Sequence, residues 1–491
     1  MWQHDAFYKK IRKFGALIYL FITMSGETIK MAVISDLHVM APELLVNEGS
    51  AFEEYLTRDR KMLRESTEIL RTLVDNILEE KPQLTLVTGD LTKDGERASH
   101  LLVAEQLQRL VDAGIQVLVV PGNHDINNPD AKVFDGDNAT STETITRRNF
   151  AAIYRNMGYD GLSRRDPDSL SYCRDVADGL TILAIDACMD RLNTFVSRGD
   201  PRDHCKTSGR LEPASQQWLV DQAKQARDKG NRVIAMMHHH LVPHFHMEDT
   251  LAAPYMVDDA KQLCQRLVDA GVHVIFTGHL HISDIGQTTH AGGEMVEIAT
   301  AAAVGYPCQW RIATCNPQAG KLQLRTLTMH SLPSDDEFGE RAREVFVNCI
   351  PSMTRGVLNR YWPEISQAIA NYSDKHPFMM RFVHLPATPD AIADLLLKHL
   401  QEPVTKTYIT FAEGNEGGTD SRHLVEQLVK GVDSIVNETV SGILRPVAKA
   451  ALRLRIYSIF RLVLRSILED INEIGTKHET IINDHTAIIR L

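Results

Sequence analysis

The sequence predicts an α/β fold for residues 30–330, because short apolar runs alternate there with longer amphipathic segments. The runs are rich in β-branched residues and short, as buried strands are. They cover residues 31–35, 84–88, 116–120, 180–185, 232–237 and 272–277. Several of the segments between them carry apolar residues at helical spacing. The alternation of strand and helix therefore points to a sheet with helices packed on it.

Three helices are predicted between these strands. The segment 61–80 places its apolar residues on one stripe, and the segments 99–113 and 213–229 have the same character. Gly114 and Gly230 follow the last two segments, in the position where glycine commonly ends a helix. The connection at residues 125–179 is long and begins at a polar motif, so it is expected to form one wall of a substrate site.

The chain changes character after Leu332. A polar linker at residues 334–337 leads into segments of mainly helical pattern, which predicts a smaller, mainly α-helical C-terminal domain over residues 331–491. The segment 447–469 combines an apolar stripe with several arginines. We expect it to pack on its own domain with a solvated basic face, and contact with a membrane surface is the alternative.

Residues 1–29 are set apart as a leader or signal-like segment. Basic residues precede the apolar run 14–24, which is followed by Ser25 and Gly26. This order is typical of a secretory signal peptide, and the run is short for a transmembrane helix. The pattern favours export or a cell-envelope location, with membrane contact through this segment. A cytoplasmic product that starts at Met24 is the alternative.

Composition narrows the choice of partners. The 491 residues carry a formal net charge of -11, which repels polyanions and argues against nucleic acid unless a basic face is hidden in the average. A small phosphorylated substrate is compatible, because bound cations would supply a local positive field. The 7 cysteines show no C-x-x-C spacing, so no thiolate metal site is expected. The oligomeric state is left open.

Side chains that can bind metals directly follow five of the predicted strands. The motifs are Asp36-Leu37-His38, Gly89-Asp90, Gly122-Asn123-His124-Asp125, His238-His239-His240 and Gly278-His279-Leu280-His281. The carboxyl ends of strands in an α/β sheet leave a crevice where binding sites form. Alternate residues at a strand end can point to the same side, so two groups of one motif can reach one centre.

The residue types in these motifs predict a pair of metal ions. Asp, Asn and His offer oxygen and imidazole donors without a thiolate, a set that suits Mn, Fe or Zn. The ligands are too many for one ion, and a carboxylate such as Asp90, with two oxygens, can bridge a pair about 3.5–4 Å apart. Gly89, Gly122 and Gly278 are expected to allow the tight turns that bring the side chains inward.

The ordered set resembles the calcineurin-like metallophosphoesterase superfamily, whose pattern runs D-x-H, G-D, G-N-H-D or G-N-H-E, a later H, and G-H-x-H. The resemblance covers about residues 30–328, with no ligand position missing. It implies a sandwich of two β-sheets flanked by helices, and hydrolysis of a phosphate ester. The substrate is left open between a phosphomonoester and a phosphodiester, nucleotides included.

The resemblance also implies a role for each residue. One metal would take Asp36, His38, Asp90 and His281, and the other would take Asp90, Asn123, His238 and His279. His124 would stabilise the transition state or protonate the leaving oxygen, and Asp125 would orient it. His238 is chosen from the triple because it follows its strand directly, with His239 as the alternative. A hydroxide held by the ions would attack phosphorus in line.

Residues around this centre are candidates for the rim of the substrate site. Asn127 and Asn128 follow the third motif, and Tyr306-Pro307 follows the last one, although a simple turn explains that pair equally well. His244 and His246 could also face the substrate, or lie on the surface without a role.

Three other functions compete with a phosphoesterase. A non-catalytic scaffold of the same fold would be expected to lose ligands or the acid, and this chain keeps them all. A zinc peptidase would need H-E-x-x-H, whereas His478-Glu479 has no second histidine at the required spacing. A nuclease is disfavoured by the net negative charge and by the lack of a basic stretch interleaved with aromatic residues.

Overall fold

The computed structural model describes residues 27–195, 204–414, 421–442, 444–450, 462, 467 and 481–491. Nearly all of the leader predicted at 1–29 and most of the basic helix predicted at 447–469 lie outside these residues. Within the described part, no helix is both long enough and apolar enough to cross a membrane.

Two seven-stranded sheets form the centre of the protein. The first contains, in spatial order, β16 (Ile481–Asn483), β17 (Thr486–Arg490), β15 (Lys321–Thr328), β14 (Gln309–Asn316), β1 (Ile29–Ile34), β3 (Leu84–Val87) and β4 (Gln116–Val119). The second contains β12 (Asp284–His290), β13 (Gly293–Ala299), β11 (Val272–Thr277), β10 (Arg232–Met237), β9 (Leu180–Ile185), β8 (Tyr172–Ala177) and β7 (Arg164–Arg165). The neighbours β1, β3 and β4 are parallel, as are β9, β10, β11 and β13, so their carboxyl ends share one edge in each sheet.

Helices flank these sheets and then continue towards the C-terminus. Those of the first part are α1 (Ser50–Leu56), α2 (Ser66–Glu80), α3 (Arg97–Asp112), α4 (Arg147–Ile153), α5 (Pro213–Asp228), α6 (Glu248–Leu251) and α7 (Ala260–Asp269). Those of the second part are α8 (Phe338–Arg360), α9 (Trp362–Lys375), α10 (Pro377–Met380), α11 (Pro389–Glu413) and α12 (Ser421–Thr439). The three helices predicted from sequence correspond to α2, α3 and α5, and the first begins five residues later than expected.

Alternate residues of β10 show how the layers pack. Ile234 and Met236 lie in the core between the two sheets. Val233, Ala235 and Met237 lie in a second core with apolar residues of α5 and α7. Burial on both faces explains why such strands are continuous apolar runs in the sequence. The α/β sandwich flanked by helices, followed by a mainly helical C-terminal region, is confirmed.

The long connection after Asp125 is more ordered than the sequence suggested. It contains β5 (Lys132–Asp135) and β6 (Asn138–Ser141), which form a small sheet with β2 (Leu45–Asn47), and then α4, β7 and β8. The expectation of one long loop was wrong here. Much of β6 is exposed and polar, so the alternation that marks a half-buried strand is missing.

The end of the chain returns to the first sheet. β17 pairs antiparallel with β15, and Ala487 and Ile489 are buried in the main core. This hairpin was not expected within a mainly helical C-terminal region. The division of the chain into domains at residue 330 stays a prediction.

Candidate metal centre

The predicted ligands stand on sharply turned backbone at the strand ends. Five of them have positive φ: Asp36 (52°), His38 (38°), Asp90 (51°), His279 (73°) and His281 (63°). Such conformations are sparsely populated by residues other than glycine, and they cluster at functional sites where the surroundings hold them. Here backbone hydrogen bonds do so: the Asp36 N–H donates to the Gly89 carbonyl (3.1 Å) and the His38 N–H to the Asp90 carbonyl (2.9 Å).

Two of the motif glycines are required by close approach rather than by their own φ. A Cβ on Gly122 would lie 2.1 Å from Asp90 Oδ1, and a Cβ on Gly278 would lie 1.9 Å from Ser35 Oγ. Only Gly89 among the three has a positive φ, of 98°. The missing side chains therefore let the strand ends crowd together around the two carboxylates.

Asp36 anchors the first group of donors. Its Oδ2 accepts hydrogen bonds from the His279 N–H (3.0 Å) and from Ser35 Oγ (2.5 Å). Its Oδ1 is buried and has no hydrogen-bond partner among the described residues, and it lies 3.1 Å from His281 Nε2 and 3.7 Å from His38 Nε2. The two imidazole nitrogens are 3.2 Å apart. Three donor atoms thus face one point.

Asp90 lies between the first group and a second one. Its Oδ1 accepts the His124 N–H (2.9 Å), which leaves Oδ2 facing inward. That single oxygen is 3.5 Å from His38 Nε2 and 3.2 Å from His238 Nε2. The sequence analysis expected both oxygens of Asp90 to be available for bridging. The backbone of His124 occupies one of them, so any bridge would run through Oδ2.

The three consecutive histidines point to three different places. The His238 Nδ1–H donates to the Thr88 carbonyl (2.9 Å), so its Nε2 faces Asp90 Oδ2 and Asn123 Oδ1, each 3.2 Å away. His239 Nε2 donates to the Thr207 carbonyl (3.0 Å), and His240 Nε2 donates to the Gly278 carbonyl (2.9 Å). Geometry therefore favours His238 over His239 as the ligand, and its role as a ligand stays a prediction.

His279 completes the second group. Its Nε2–H donates a hydrogen bond to the Pro254 carbonyl (3.2 Å). The lone pair of Nδ1 is therefore the one that could bind a metal ion. Donor atoms of Asp90, His238 and His279 lie within 4.8 Å of one another. A carbonyl that fixes the far nitrogen of a histidine is a common partner of metal ligands.

The donor set fits a pair of cations. Bonds of about 2.0–2.2 Å from one ion to oxygen or imidazole place neighbouring donors roughly 3–3.6 Å apart, and most separations here lie in that range. Lone pairs of His238 Nε2, Asp90 Oδ2 and Asn123 Oδ1 converge, which is unfavourable unless a positive charge lies between them. Burial would lower the pKa of His238, but the negative charge of Asp90 outweighs burial and raises this pKa to about 9. In the absence of a metal ion, a proton on His238 would supply the positive charge that the ion would otherwise provide.

The same positive surroundings keep both carboxylates ionised. Burial alone would raise the pKa of Asp36 and of Asp90. The attraction of His281 for Asp36, and of His238 and His124 for Asp90, outweighs burial and holds both pKa values well below the usual range. Both groups are therefore charged acceptors at neutral pH.

His124 is oriented by Asp94, not by Asp125. Its Nδ1 is 2.8 Å from Asp94 Oδ1, and Lys93, which is fully buried, pairs with the other oxygen of Asp94. Asp125 is occupied elsewhere: its oxygens accept the N–H groups of Leu91 (3.1 Å), Thr92 (2.9 Å) and Gly122 (2.8 Å). The expectation that Asp125 orients His124 is corrected accordingly. Asp125 holds the turn that carries His124.

His124 is the most accessible group of the centre. Its side chain is 28% exposed, against 1% for His38 and 0% for Asp36. Burial would lower its pKa, but Asp90 and the hydrogen bond to Asp94 outweigh burial and raise it. A partly exposed ring at this position can reach a bound molecule.

The predicted rim residues divide into two groups. Asn128 Nδ2 donates to the His124 carbonyl (3.1 Å), and Asn127 Nδ2 donates to the Asp190 carbonyl (3.2 Å), so both support the loop around His124. Tyr306, which precedes Pro307 through a cis peptide, bonds to Glu413 at the end of α11 and contacts Phe346 of α8. Tyr306 therefore joins the sandwich to the C-terminal helices.

Cations outside the motifs also lie beside the centre. Arg60 donates to the carbonyl of Leu280 (3.2 Å), between two predicted ligands, and to the Tyr408 hydroxyl of α11 (2.6 Å). The Lys61 ammonium, paired with Asp59 (3.3 Å), is near enough to His38 to depress its pKa. No motif marks these residues, and nothing in the local sequence distinguishes them from other basic residues of the chain.

A second cluster of histidines and carboxylates lies behind the last motif. His244 is fully buried, with Nδ1 2.5 Å from Asp284 Oδ2 and Nε2 3.2 Å from Glu297 Oε1. His240 contacts Glu248 (2.8 Å) and the Gly278 carbonyl. His240, His244 and Glu297 are close enough to hold an ion, but all their ring nitrogens already face polar partners. Polar partners within the protein therefore occupy these rings, and the contact of His240 with the Gly278 carbonyl links the cluster to the last motif.

His244→Gln is expected to destabilise the protein in a pH-dependent way. Burial lowers the pKa of His244, but Asp284 and Glu297 outweigh it and raise the pKa well above 6.5. The ring's contribution is complete below pH 6.5 and is lost as pH rises towards the folded pKa. We expect a loss of about 3–5 kcal/mol near pH 6, and the difference from wild type should shrink by about 1.4 kcal/mol per pH unit above that. Urea unfolding between pH 6 and 9 measures both.

The control for this variant is His246→Gln, at an exposed histidine two residues away. It should change the free energy of unfolding by no more than about 0.5 kcal/mol at any of these pH values. A difference between wild type and His244→Gln that stays constant with pH would show that His244 is neutral in the folded protein.

Comparison with known proteins gives one family and several distant structures. The sequence model of calcineurin-like phosphoesterases matches residues 29–283. No match is found among curated proteins. A dimetal phosphatase from Danio rerio is 16% identical, with a TM-score of 0.42, over 61% of this chain and 96% of that one. The phosphopantetheinyl hydrolase PptH from Mycobacterium tuberculosis is 12% identical, with a TM-score of 0.27, over 57% and 91%. The sulfate thiohydrolase SoxB from Thermus thermophilus is 16% identical, with a TM-score of 0.32, over 65% and 60%. These structural likenesses are too distant to inform the chemistry.

Proposed function

The chain belongs to the calcineurin-like phosphoesterase family and is a metal-dependent phosphoric ester hydrolase, and on that premise we propose that it cleaves a phosphomonoester or phosphodiester with two metal ions. The observation that carries the proposal is the position of Asp90 Oδ2, 3.5 Å from His38 of one donor group and 3.2 Å from His238 of the other. One ion would be held by Asp36, His38, Asp90 and His281, and the other by Asp90, Asn123, His238 and His279. Mn, Fe and Zn suit these donors.

When bound, the ions would neutralise charge on the phosphoryl oxygens and make a water molecule acidic enough to be a nucleophile at neutral pH. The chain's own residues supply the rest. Asp36 and Asp90 each use one oxygen to fix backbone N–H groups and present the other inward. Lys61 and Arg60 add positive charge beside the donors and favour an anionic substrate.

His124 is proposed to deliver a proton to the departing oxygen. Asp94 holds Nδ1, so Nε2, which lies 4.0 Å from Asp90 Oδ2 on a side chain that is 28% exposed, is the ring nitrogen left to act on a substrate. Asp90 and Asp94 raise the pKa of His124 against the effect of burial, which favours the protonated form that a general acid requires. Stabilisation of the transition state by the same charge is the other role open to it.

The test is a screen of the full chain against an aryl phosphate monoester and an aryl phosphate diester. The protein is stripped with a chelator, dialysed and reloaded with Mn, Fe or Zn separately. We expect hydrolysis of at least one ester that depends on the added metal and disappears again with chelator. Hydrolysis that survives the chelator, or none with any metal, would overturn the proposal.

A further inference from the structure

A cavity lined mainly by arginines lies outside the predicted metal centre. It has a volume of about 450 Å³, and none of the predicted metal ligands lines it. Its charged lining consists of Arg147, Arg148, Arg155, Arg165, Arg191 and Asp168. We refer to this cavity as the arginine pocket.

Three chain segments bring these arginines together. Arg148 and Arg155 are seven residues apart on α4 and the turn after it, with the small side chains of Ala151 and Ala152 between them on the same wall. In β7 the side chains alternate: Arg164 pairs with Asp175 (3.1 Å), and Arg165 turns the other way, with its guanidinium 5.4 Å from the Tyr159 ring.

The positive charge of the arginine pocket is largely uncompensated. Arg147 is neutralised by Asp186 (2.7 Å) and Asp190 (2.5 Å) and serves as a fixed wall. Arg148, Arg155 and Arg165 are exposed and form no ion pair within the described part of the chain. Among the residues that the structure describes, Arg191 donates to the Asp168 carbonyl (3.0 Å) and forms no ion pair. Although the net charge of the chain is -11, the lining of this pocket contains, besides the neutralised Arg147, four arginines and only one aspartate.

We propose that the arginine pocket binds a small anion that carries two or more phosphate groups. Guanidinium groups match phosphate oxygens in pairs, which makes arginine the preferred residue for this recognition. The volume lies within the range of roughly 300–1,000 Å³ that small-molecule sites occupy. Tyr159 is 5% exposed, so no aromatic face is open for base stacking, and a nucleic-acid strand fits the pocket less well.

The arginine pocket shares a wall with the loop around His124. Arg147 binds the Asp190 carboxylate, and the Asp190 carbonyl accepts a hydrogen bond from Asn127, two residues after Asp125. None of the predicted metal ligands lines the pocket, so a bound anion would not need the metals. Binding can be measured on metal-free protein for that reason.

Isothermal titration calorimetry with inorganic tripolyphosphate tests the proposal. The full chain is stripped of metal and the chelator is dialysed away, because the chelator is itself an anion. The double variant Arg155→Glu/Arg165→Glu reverses two exposed charges in the pocket. The matched control, Arg71→Glu/Arg227→Glu, makes the same charge change at exposed positions of α2 and α5.

We expect wild type and the control variant to bind with dissociation constants within about twofold of each other, and the pocket variant to bind at least about tenfold more weakly. No binding to wild type, or equal weakening in the control, would overturn the proposal. Tighter binding of a short single-stranded DNA through the same arginines would also overturn it. None of these three results would affect the proposed phosphoesterase function, because the experiment does not probe the metal centre.

Discussion

Asp90→Ala is expected to lose both metal ions and, with them, all measurable hydrolysis. The inward oxygen of Asp90 is the one atom that faces donors of both groups, His38 at 3.5 Å and His238 at 3.2 Å. On the proposed assignment its removal would take a ligand from each ion, and it removes a negative charge from between several histidines. Loss of an outer partner alone weakens metal binding about 10–100-fold, so loss of this ligand should exceed that. Elemental analysis of the purified variant against wild type measures it.

The variant Asp90→Asn distinguishes the effect of losing the negative charge from the effect of disrupting the local backbone. It keeps an oxygen that can accept the His124 N–H, the bond made by Oδ1 (2.9 Å), so the turn should survive while metal is still lost. Asp178→Ala, at an exposed carboxylate in the turn after β8, serves as the control and should keep its metal. Wild-type metal content in both Asp90 variants would mean that Asp90 is not a shared ligand.

His124→Ala is expected to lower turnover by a factor of about 10²–10⁴ while the metal content stays at the wild-type level. Its backbone N–H binds Asp90 Oδ1, and its Nε2 lies 4.0 Å from Asp90 Oδ2, but His124 is not among the ligands assigned to either ion. Its ring is held by Asp94 at 2.8 Å and is exposed to the opening. Steady-state kinetics with elemental analysis of the same sample checks both halves of the expectation.

The dependence on the leaving group distinguishes the two roles open to His124. A general acid matters most when the departing oxygen is strongly basic, so the defect should be larger for an alkyl phosphate than for a nitrophenyl phosphate. Equal defects would favour stabilisation of charge in the transition state. Turnover equal to wild type with both substrates would remove His124 from the mechanism.

The ligand positions could be predicted because the fold and the chemistry leave separate marks in the sequence. Strands buried on both faces appear as apolar runs, and the parallel arrangement brings their carboxyl ends to one edge. The approximate location of the polar residue after each run can therefore be predicted from the sequence alone. Asp36, Asp90, Asn123, His238 and His279 were found in this way, and the structure brings their donor atoms together.

Asp94 could not be found by the same argument. It lies in the turn between β3 and α3, four residues after Asp90, and its contact with His124 depends on the buried Lys93. Asp125 was given this role by the family resemblance, but in the structure His124 contacts Asp94 while Asp125 accepts the Gly122 N–H. An aspartate that accepts the N–H of the residue three before it is a turn former, and Gly122-Asn123-His124-Asp125 fits that pattern.

The C-terminal region was predictable in type and not in placement. Its helical pattern is evident in the sequence, but the bond from Arg60 to Tyr408 and that from Tyr306 to Glu413 join residues about 350 and 100 positions apart. No local pattern encodes such contacts. These contacts place α11 beside the proposed active site. The sequence alone did not predict a position for the C-terminal region.

Two ions are proposed to share one pocket, with Asp90 between them. Anomalous diffraction from crystals of the full chain grown with manganese tests it most directly. We expect two peaks about 3.5–4 Å apart, one beside Asp36 and His281 and the other beside His238 and His279. A single peak, or peaks at the His240, His244 and Glu297 cluster instead, would contradict it.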